Sequence, residues 1–312
     1  MTGGSTKLPE RPSAALRVDG LTKTYGDRRV VDGVSFELGR GEVFGFLGPN
    51  GSGKTTTMRM ALDLIKPDSG TVSIFGSPPT RNVLRRVGYL PEERGLFQRA
   101  RVLDVLRYMG RLKGLSASTA EERASEMMSR VGLGEHLGAK VQGLSRGMAQ
   151  LVQFAGALLH RPDLIILDEP FGGLDPLNVV LMKEILREEQ ARGAAVIFST
   201  HIMSDVEELC ERAVLISDGQ VLVYGPILEM KEARASSTIT VVADRQPGDV
   251  PGVDRVESSD GHYSYRAQDG ASADTVLRAF LDAGIAVRRF EVALPTLNEV
   301  FIEEVRRARG DR

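Results

Sequence analysis

The sequence predicts an α/β core interrupted by a block of helices and followed by a small α+β domain. Three observations carry this. Apolar runs of strand length (residues 43–47, 164–167 and 194–198) stand among segments of helical period, the alternation that builds a parallel sheet. Between residues 102 and 144 the strands stop and helical spacing takes over. At Ala233-Arg234-Ala235-Ser236-Ser237 the composition shifts to that of a linker, beyond which short strands and two helices follow. The boundaries read as a flexible tail over 1–15, a core domain over 16–230 with its helical subdomain at about 99–160, and an accessory domain over 238–312.

A chain of 312 residues suits one large domain and one smaller one. At 26% charged residues and a net charge of −2 there is no basic excess to draw nucleic acid, which is therefore not expected as a partner. The apolar runs fall far short of the roughly 20 residues of a membrane helix. The tail has no apolar stretch of the signal-peptide kind. One cysteine, Cys210, rules out an intramolecular disulfide. Its neighbours Val206, Leu209 and Ala213 suggest a helical, apolar setting and an inert buried thiol. The chain reads as soluble and intracellular.

Leu16-Arg17-Val18 and Ser35-Phe36-Glu37-Leu38 have the look of strands, with a loop over residues 21–26 between them. Tyr25 in that loop is either a ring able to stack on an adenine or an ordinary loop tyrosine. The strand Glu42-Val43-Phe44-Gly45-Phe46-Leu47 then runs into Gly48-Pro49-Asn50-Gly51-Ser52-Gly53-Lys54-Thr55. That octapeptide satisfies G-x-x-x-x-G-K-[ST] at every fixed position. Its three glycines allow positive φ and turn backbone N–H groups toward an anion. Lys54 has the reach for β- and γ-phosphates, and the Thr55 hydroxyl the chemistry to hold Mg2+. A helix beginning at Thr56-Thr57-Met58 adds its N-terminal dipole.

Further on, Lys66-Pro67-Asp68-Ser69-Gly70 is a stop and turn before the alternating strand Thr71-Val72-Ser73-Ile74-Phe75. Val87-Gly88-Tyr89-Leu90 is a short strand that breaks into a charged loop carrying Glu92. In the helical block Val102, Val105, Leu106, Met109 and Leu112 share one face, as do Ala124, Met127, Met128 and Val131, so the methionines read as core. Gly143-Leu144-Ser145-Arg146-Gly147-Met148 heads a helix running to about residue 160, with Ser145 at the N-cap and a second anion site at its start. The apolar strand Leu164-Ile165-Ile166-Leu167 ends in Asp168, suited to Mg2+, and Glu169, suited to polarising a water. Gly172-Gly173-Leu174-Asp175-Pro176 turns into another helix. Strand 194–200 delivers His201 at its carboxyl end, where ligands of open α/β sheets gather. His136, His160 and His262 read as solvated. A hairpin about Ser217-Asp218-Gly219 closes the core, and the accessory domain shows no catalytic constellation.

The phosphate loop, Leu144-Ser145-Arg146-Gly147-Met148, residues 164–170, Gly173-Leu174-Asp175-Pro176 and Ser199-Thr200-His201 occur in the order and spacing of ABC-transporter ATP-binding subunits. The resemblance covers about residues 16–228. It implies a P-loop NTPase core of the ABC ATPase type. It also implies that Tyr25 stacks on adenine, that Ser145 and Gly147 contact the γ-phosphate of a partner subunit's ATP, and that Asp175 is a dimer contact. His201 would be the switch histidine. Two departures stand out. The family's usual Leu-Ser-Gly-Gly-Gln has Arg146 and Met148 in place of a glycine and the glutamine, while Ser145 and Gly147 are kept. The loop that usually holds a glutamine offers Glu92, which can meet Mg2+ but adds negative charge. These variations and Leu294-Pro295-Thr296-Leu297-Asn298-Glu299-Val300-Phe301 resemble the exporter branch that includes drug and sodium-ion extrusion ATPases.

The resemblance therefore implies an exporter's ATPase subunit binding ATP and Mg2+, with Lys54, Glu169 and His201 catalytic. Arg146, a guanidinium at a helix start beside Ser145, either helps hold the partner's ATP or points to solvent or a nearby acid. A single phosphate loop and a single signature per chain imply a dimer, of like or related subunits, with ATP at the interface. A chain without membrane segments implies a separate membrane-spanning permease and a place on the cytoplasmic face of the membrane. The alternative is a soluble nucleotide-gated binding or regulatory module. Ribosome- or DNA-acting relatives would carry two ATPase halves or a long coiled coil, and neither is in the sequence.

Overall fold

The computed structural model describes residues 14–93, 95–233, 238–248, 253–259, 262–267 and 273–310. Most of the expected tail and the linker at 234–237 lie outside the described residues. Contacts divide the chain after Gly225 into two compact units.

The first unit opens with a long hairpin, β1 (Ala14–Tyr25) and β2 (Arg28–Gly39). Residues 21–25, expected as loop, are strand. Register shifts after Val18 and Leu21, with Gly20 and Gly33 in the left-handed region, break the period-two alternation that would have marked them. β3 (Val43–Leu47) is buried along its whole length and runs through the phosphate loop into α1 (Lys54–Ala61). β4 (Ser69–Ile74) returns antiparallel to β1, giving a three-stranded sheet β2-β1-β4. After α2 (Arg81–Leu84) and β5 (Val87–Leu90) comes the helical block: α3 (Val102–Leu112), α4 (Ala117–Arg130) and α5 (Arg146–Leu158). β6 (Leu164–Asp168), α6 (Pro176–Ala191), β7 (Ala195–Thr200), α7 (Met203–Leu209), β8 (Arg212–Ser217) and β9 (Gln220–Pro226) complete the unit.

A second sheet has the order β5-β6-β7-β3-β8-β9, and its pairings from β5 to β8 are parallel. Strands covered on both faces need continuous apolar runs, which is what β3, β6 and β7 have. Phe36 of the first sheet stacks on Phe44 of the second with centroids 5.8 Å apart and meets Phe46 at 5.2 Å, so the core lies between the sheets. The order sets β7 between β6 and β3. Three carboxyl ends therefore adjoin, carrying the phosphate loop, Asp168 and Glu169, and His201.

One expectation about a single residue is overturned, and another holds except for its setting. Cys210 is buried, but it lies just past the end of α7 in extended backbone, because its apolar neighbours divide between α7 and β8. Burial pushes its thiol well up. His160 is packed rather than solvated. Its Nε2–H donates to the Val87 carbonyl at 3.2 Å, and burial, followed by the Lys113 ammonium, lowers its pKa from 6.5 to about 4. Lys113 Nζ donates to the same carbonyl at 2.7 Å and to that of Leu84 at 2.8 Å, so both side chains tie the helical block to β5.

In the second unit, α8 (Ile227–Glu232) precedes β10 (Thr238–Ala243), β11 (Val253–Ser259) and β12 (His262–Ala267). α9 (Ala273–Asp282), β13 (Val287–Ala293) and α10 (Leu297–Arg309) follow. The sheet is antiparallel in the order β11-β12-β10-β13, and Phe280 of α9 packs against Tyr263 and Tyr265. β11 has no counterpart in the sequence reading. As an edge strand it carries Asp254, Arg255, Glu257 and serines, without the apolar alternation by which strands are found.

Candidate functional site

Each part of the phosphate loop has a local cause. Gly51 and Gly53 take φ of 78° and 104°, where only glycine is free of strain. Gly48, expected to serve by positive φ as well, serves by size instead: a Cβ there would lie 2.3 Å from the Ile216 carbonyl oxygen and 2.6 Å from Ser52 Oγ. The helix begins at Lys54, two residues earlier than expected, so Lys54, Thr55 and Thr56 form its first turn. Lys54 is buried. Its ammonium donates to the carbonyls of Gly48 at 2.8 Å and Pro49 at 3.2 Å and lies 3.4 Å from Glu169 Oε1.

On the adjoining tips, Asp168 is 0% exposed. Its Oδ1 accepts the Ser199 hydroxyl at 2.5 Å, while Oδ2 is buried with no hydrogen-bond partner among the described residues. Glu169 adopts φ 48°, a left-handed conformation that is costly for a glutamate. Its N–H is held by Ser199 Oγ at 3.0 Å and by the Ser199 carbonyl at 3.2 Å. His201 Nδ1 stands 3.1 and 3.2 Å from the two Glu169 carboxylate oxygens. Glu169 is thus shared between Lys54 and His201.

Tyr25, Asn50, Gly51, Gly53, Lys54, Thr55, Thr56, Glu92 and Glu169 line one cleft of about 490 Å3, joined by Arg28 and Val30. Tyr25 is 48% exposed at the cleft's mouth, with the Lys23 ammonium 5.6 Å above its ring. Thr55 Oγ1 donates to Glu92 Oε2 at 3.4 Å. Thr55, Glu92 and the free oxygen of Asp168 are hard oxygen donors of the kind Mg2+ takes. Among the described residues no three His, Cys, Asp or Glu side chains cluster as a metal cage.

Ser145, Arg146, Gly147 and Asp175 form a second group, and none of them lines that cleft. Ser145 caps α5 by accepting from Met148 N–H at 3.2 Å. Asp175 caps α6, taking Asn178 N–H at 3.1 Å, and this bond first, despite some desolvation, keeps its carboxyl below the usual range. The two helix starts meet: Leu174 lies against Gly147, and the Arg146 guanidinium lies over Gly173.

Several residues that hold the site together escaped the sequence reading. Gln150 donates to the Pro170 carbonyl at 3.0 Å and Gln153 to that of Glu93 at 3.3 Å, anchoring both acidic loops on α5. Lys183 of α6 pairs with Asp205 and Glu208 of α7 at 2.8 and 2.5 Å under the Phe171 ring. The signal available was polar residues inside apolar helices, and it does not by itself name a partner.

By fold, the first unit is a P-loop NTPase. The family profile described as "ABC transporter" matches residues 31–172, and "ATP-binding protein DrrA1-3-like, C-terminal domain" matches residues 225–305. The chain is 37% identical to the uncharacterized ABC transporter ATP-binding protein YhaQ of Bacillus subtilis, over 93% of this chain and 98% of that one. It is 34% identical to the linearmycin resistance ATP-binding protein LnrL of Bacillus subtilis, over 72% and 73% of the two chains. Nod factor export ATP-binding protein I of Paraburkholderia xenovorans is 41% identical over 69% of this chain and 71% of its own. A solved ATP-binding subunit of an ABC transporter superposes with a TM-score of 0.66 at 32% identity, covering 70% of this chain and 92% of that one. The chain belongs to the ABC transporter ATP-binding proteins, and it binds and hydrolyses ATP. Among the described residues no helix is long and apolar enough to cross a membrane.

Proposed function

We propose that this chain is the ATPase subunit of an exporter and works through a separate membrane-spanning permease, on the cytoplasmic face of the membrane. One observation supports the catalytic reading above the rest: Lys54, Glu169 and His201 meet at adjoining strand tips, with Glu169 between the other two. The names of LnrL and of Nod factor export protein I, resistance and export, support the direction of transport.

In this reading Tyr25 stacks on the adenine and the loop from Gly48 to Thr56 cradles the phosphates. Thr55, Asp168 and Glu92 would hold Mg2+, which would supply neutralisation of the phosphate charge. Lys54 turns from the carbonyls of Gly48 and Pro49 to the phosphates, freeing Glu169. Glu169 then takes a proton from the water whose oxygen bonds the γ-phosphorus as the bond to ADP breaks. His201 donates to the γ-phosphate and keeps Glu169 oriented. Ser145, Arg146, Gly147 and Asp175 lie outside this cleft, which supports their acting on the ATP of a second ATPase subunit, like or related. The dimer closes on two ATP molecules.

Glu169→Gln should bind ATP, slow hydrolysis by ~10²–10⁴-fold and trap an ATP-bound dimer visible by light scattering. Hydrolysis at the wild-type rate would remove Glu169 as the base. ATPase activity measured with and without the co-purified permease tests the transport coupling. A rate indifferent to any membrane protein would favour a soluble nucleotide-gated module.

A further inference from the structure

Ser199 carries a hydroxyl that takes no direct part in the attack on the γ-phosphate. It is fully buried on β7, directly across from Asp168 in the parallel register with β6. Its Oγ is 2.5 Å from Asp168 Oδ1 and 3.0 Å from the Glu169 backbone nitrogen. Chemistry fixes the direction of both bonds. A backbone N–H can only donate, so Oγ accepts from Glu169 and its single proton goes to Asp168. One hydroxyl therefore ties together the two acids that the reaction needs.

Two consequences follow for those acids. Asp168 has one oxygen satisfied and the other, Oδ2, buried and without a partner among the described residues. A carboxylate oxygen so desolvated is costly unless it meets a cation. Glu169, for its part, holds a left-handed φ that a glutamate adopts only when its surroundings over-determine it, and its N–H is clasped by two oxygens of Ser199. Ordinary strand pairing would use the carbonyl alone. The hydroxyl is the addition.

We propose that Ser199 is a positioning residue of the ATPase site: its hydroxyl fixes the Asp168 carboxylate so that Oδ2 is left for the nucleotide-bound cation, and it steadies the backbone that presents Glu169. This rests on the reading of Asp168 as a cation ligand. Outer-shell hydrogen bonds of this kind set the affinity of a site for its metal rather than for the rest of the ligand.

The test is ADP binding to the full chain by calorimetry, once with excess Mg2+ and once with EDTA, for wild type, Ser199→Ala, Ser199→Thr and Asp168→Asn. Ser199→Ala should lose about 10- to 100-fold of the tightening that Mg2+ brings, the usual cost of an outer-shell partner, while its affinity in EDTA stays within about twofold. Ser199→Thr, which keeps the hydroxyl, should recover most of the loss. A merely structural serine would weaken both conditions alike. If Ser199→Ala keeps the wild-type Mg2+ effect, the proposal is overturned. Should that variant not fold, Ser199→Cys has nearly the same shape and a weak donor: an intact Mg2+ effect there overturns the proposal, and a lost one supports it. Asp168→Asn separates the two layers. An undiminished Mg2+ effect in that variant removes Asp168 as a ligand, whereas loss in Asp168→Asn and none in Ser199→Ala removes only Ser199.

Discussion

Acid should loosen this protein through a histidine that is not part of the chemistry. His160 follows α5 and is packed against the start of β5, the strand that leads to Glu92. Its pKa is lowered from 6.5 to about 4, by burial first and the Lys113 ammonium next. In the unfolded chain the ring takes its proton near 6.5, while in the folded protein it stays neutral until about 4. The folded state therefore has its full advantage above pH 6.5 and loses it progressively as pH falls toward 4. With a difference of roughly 2.5 in pKa at about 1.4 kcal/mol each, the loss approaches ~3.5 kcal/mol at pH values below 4. Urea unfolding midpoints of wild type and His160→Gln, measured from pH 8 to pH 4.5, check this. A glutamine can still donate to the Val87 carbonyl but has no proton to take up. The wild-type curve should fall more steeply below pH 6.5, and the gap between the two should close or invert. Parallel curves across that range would refute the argument and return His160 to the solvent.

Further outcomes concern the site and its frame. Lys54→Ala should abolish tight nucleotide binding, because the phosphate loop loses its one lysine; unchanged affinity in equilibrium titration would contradict the loop's role. Arg146→Ala in the Glu169→Gln background should weaken ATP-driven dimerisation by ~1.5–3 kcal/mol, the range for hydrogen bonds to charged groups, with monomer affinity for ATP unchanged. An equally stable dimer, followed by analytical ultracentrifugation, would leave Arg146 only its packing over Gly173. Lys183→Met should cost ~3–5 kcal/mol in thermal or urea unfolding, since it leaves the buried Asp205 carboxylate unpaired. For Lys183 itself burial opposes the charge, yet the bonds to Asp205 and Glu208 outweigh it and raise the pKa, so the pair should persist through neutral pH. A loss below 1 kcal/mol would mean that α7 rearranges to solvate Asp205.

The chemistry of this chain was legible where it is written in contiguous residues. Gly48 to Thr55 must bend, bind anions and start a helix in one stretch, and the residue types that can do so are few. Asp168, Glu169 and His201 could be singled out because each ends an apolar strand, and apolar strands of that length belong in a covered parallel sheet whose carboxyl ends gather ligands. By contrast, polar and bulged strands give no such signal. β11 and the far half of β1 carry no alternation, because an edge position and register shifts release them from it.

The sequence by itself determined the class of protein and singled out its candidate site residues, through local patterns that few other functions require. Only the tertiary structure decided the partnerships. It seated β7 between β6 and β3, set Ser199 across from Asp168, shared Glu169 between Lys54 and His201, and buried His160 beside Lys113. The reason is one of range. Backbone conformation and periodicity are local and show in neighbouring letters. A hydrogen bond between residues 31 positions apart, such as Ser199 to Asp168, depends on which strands pair and in what register, and no single segment encodes that.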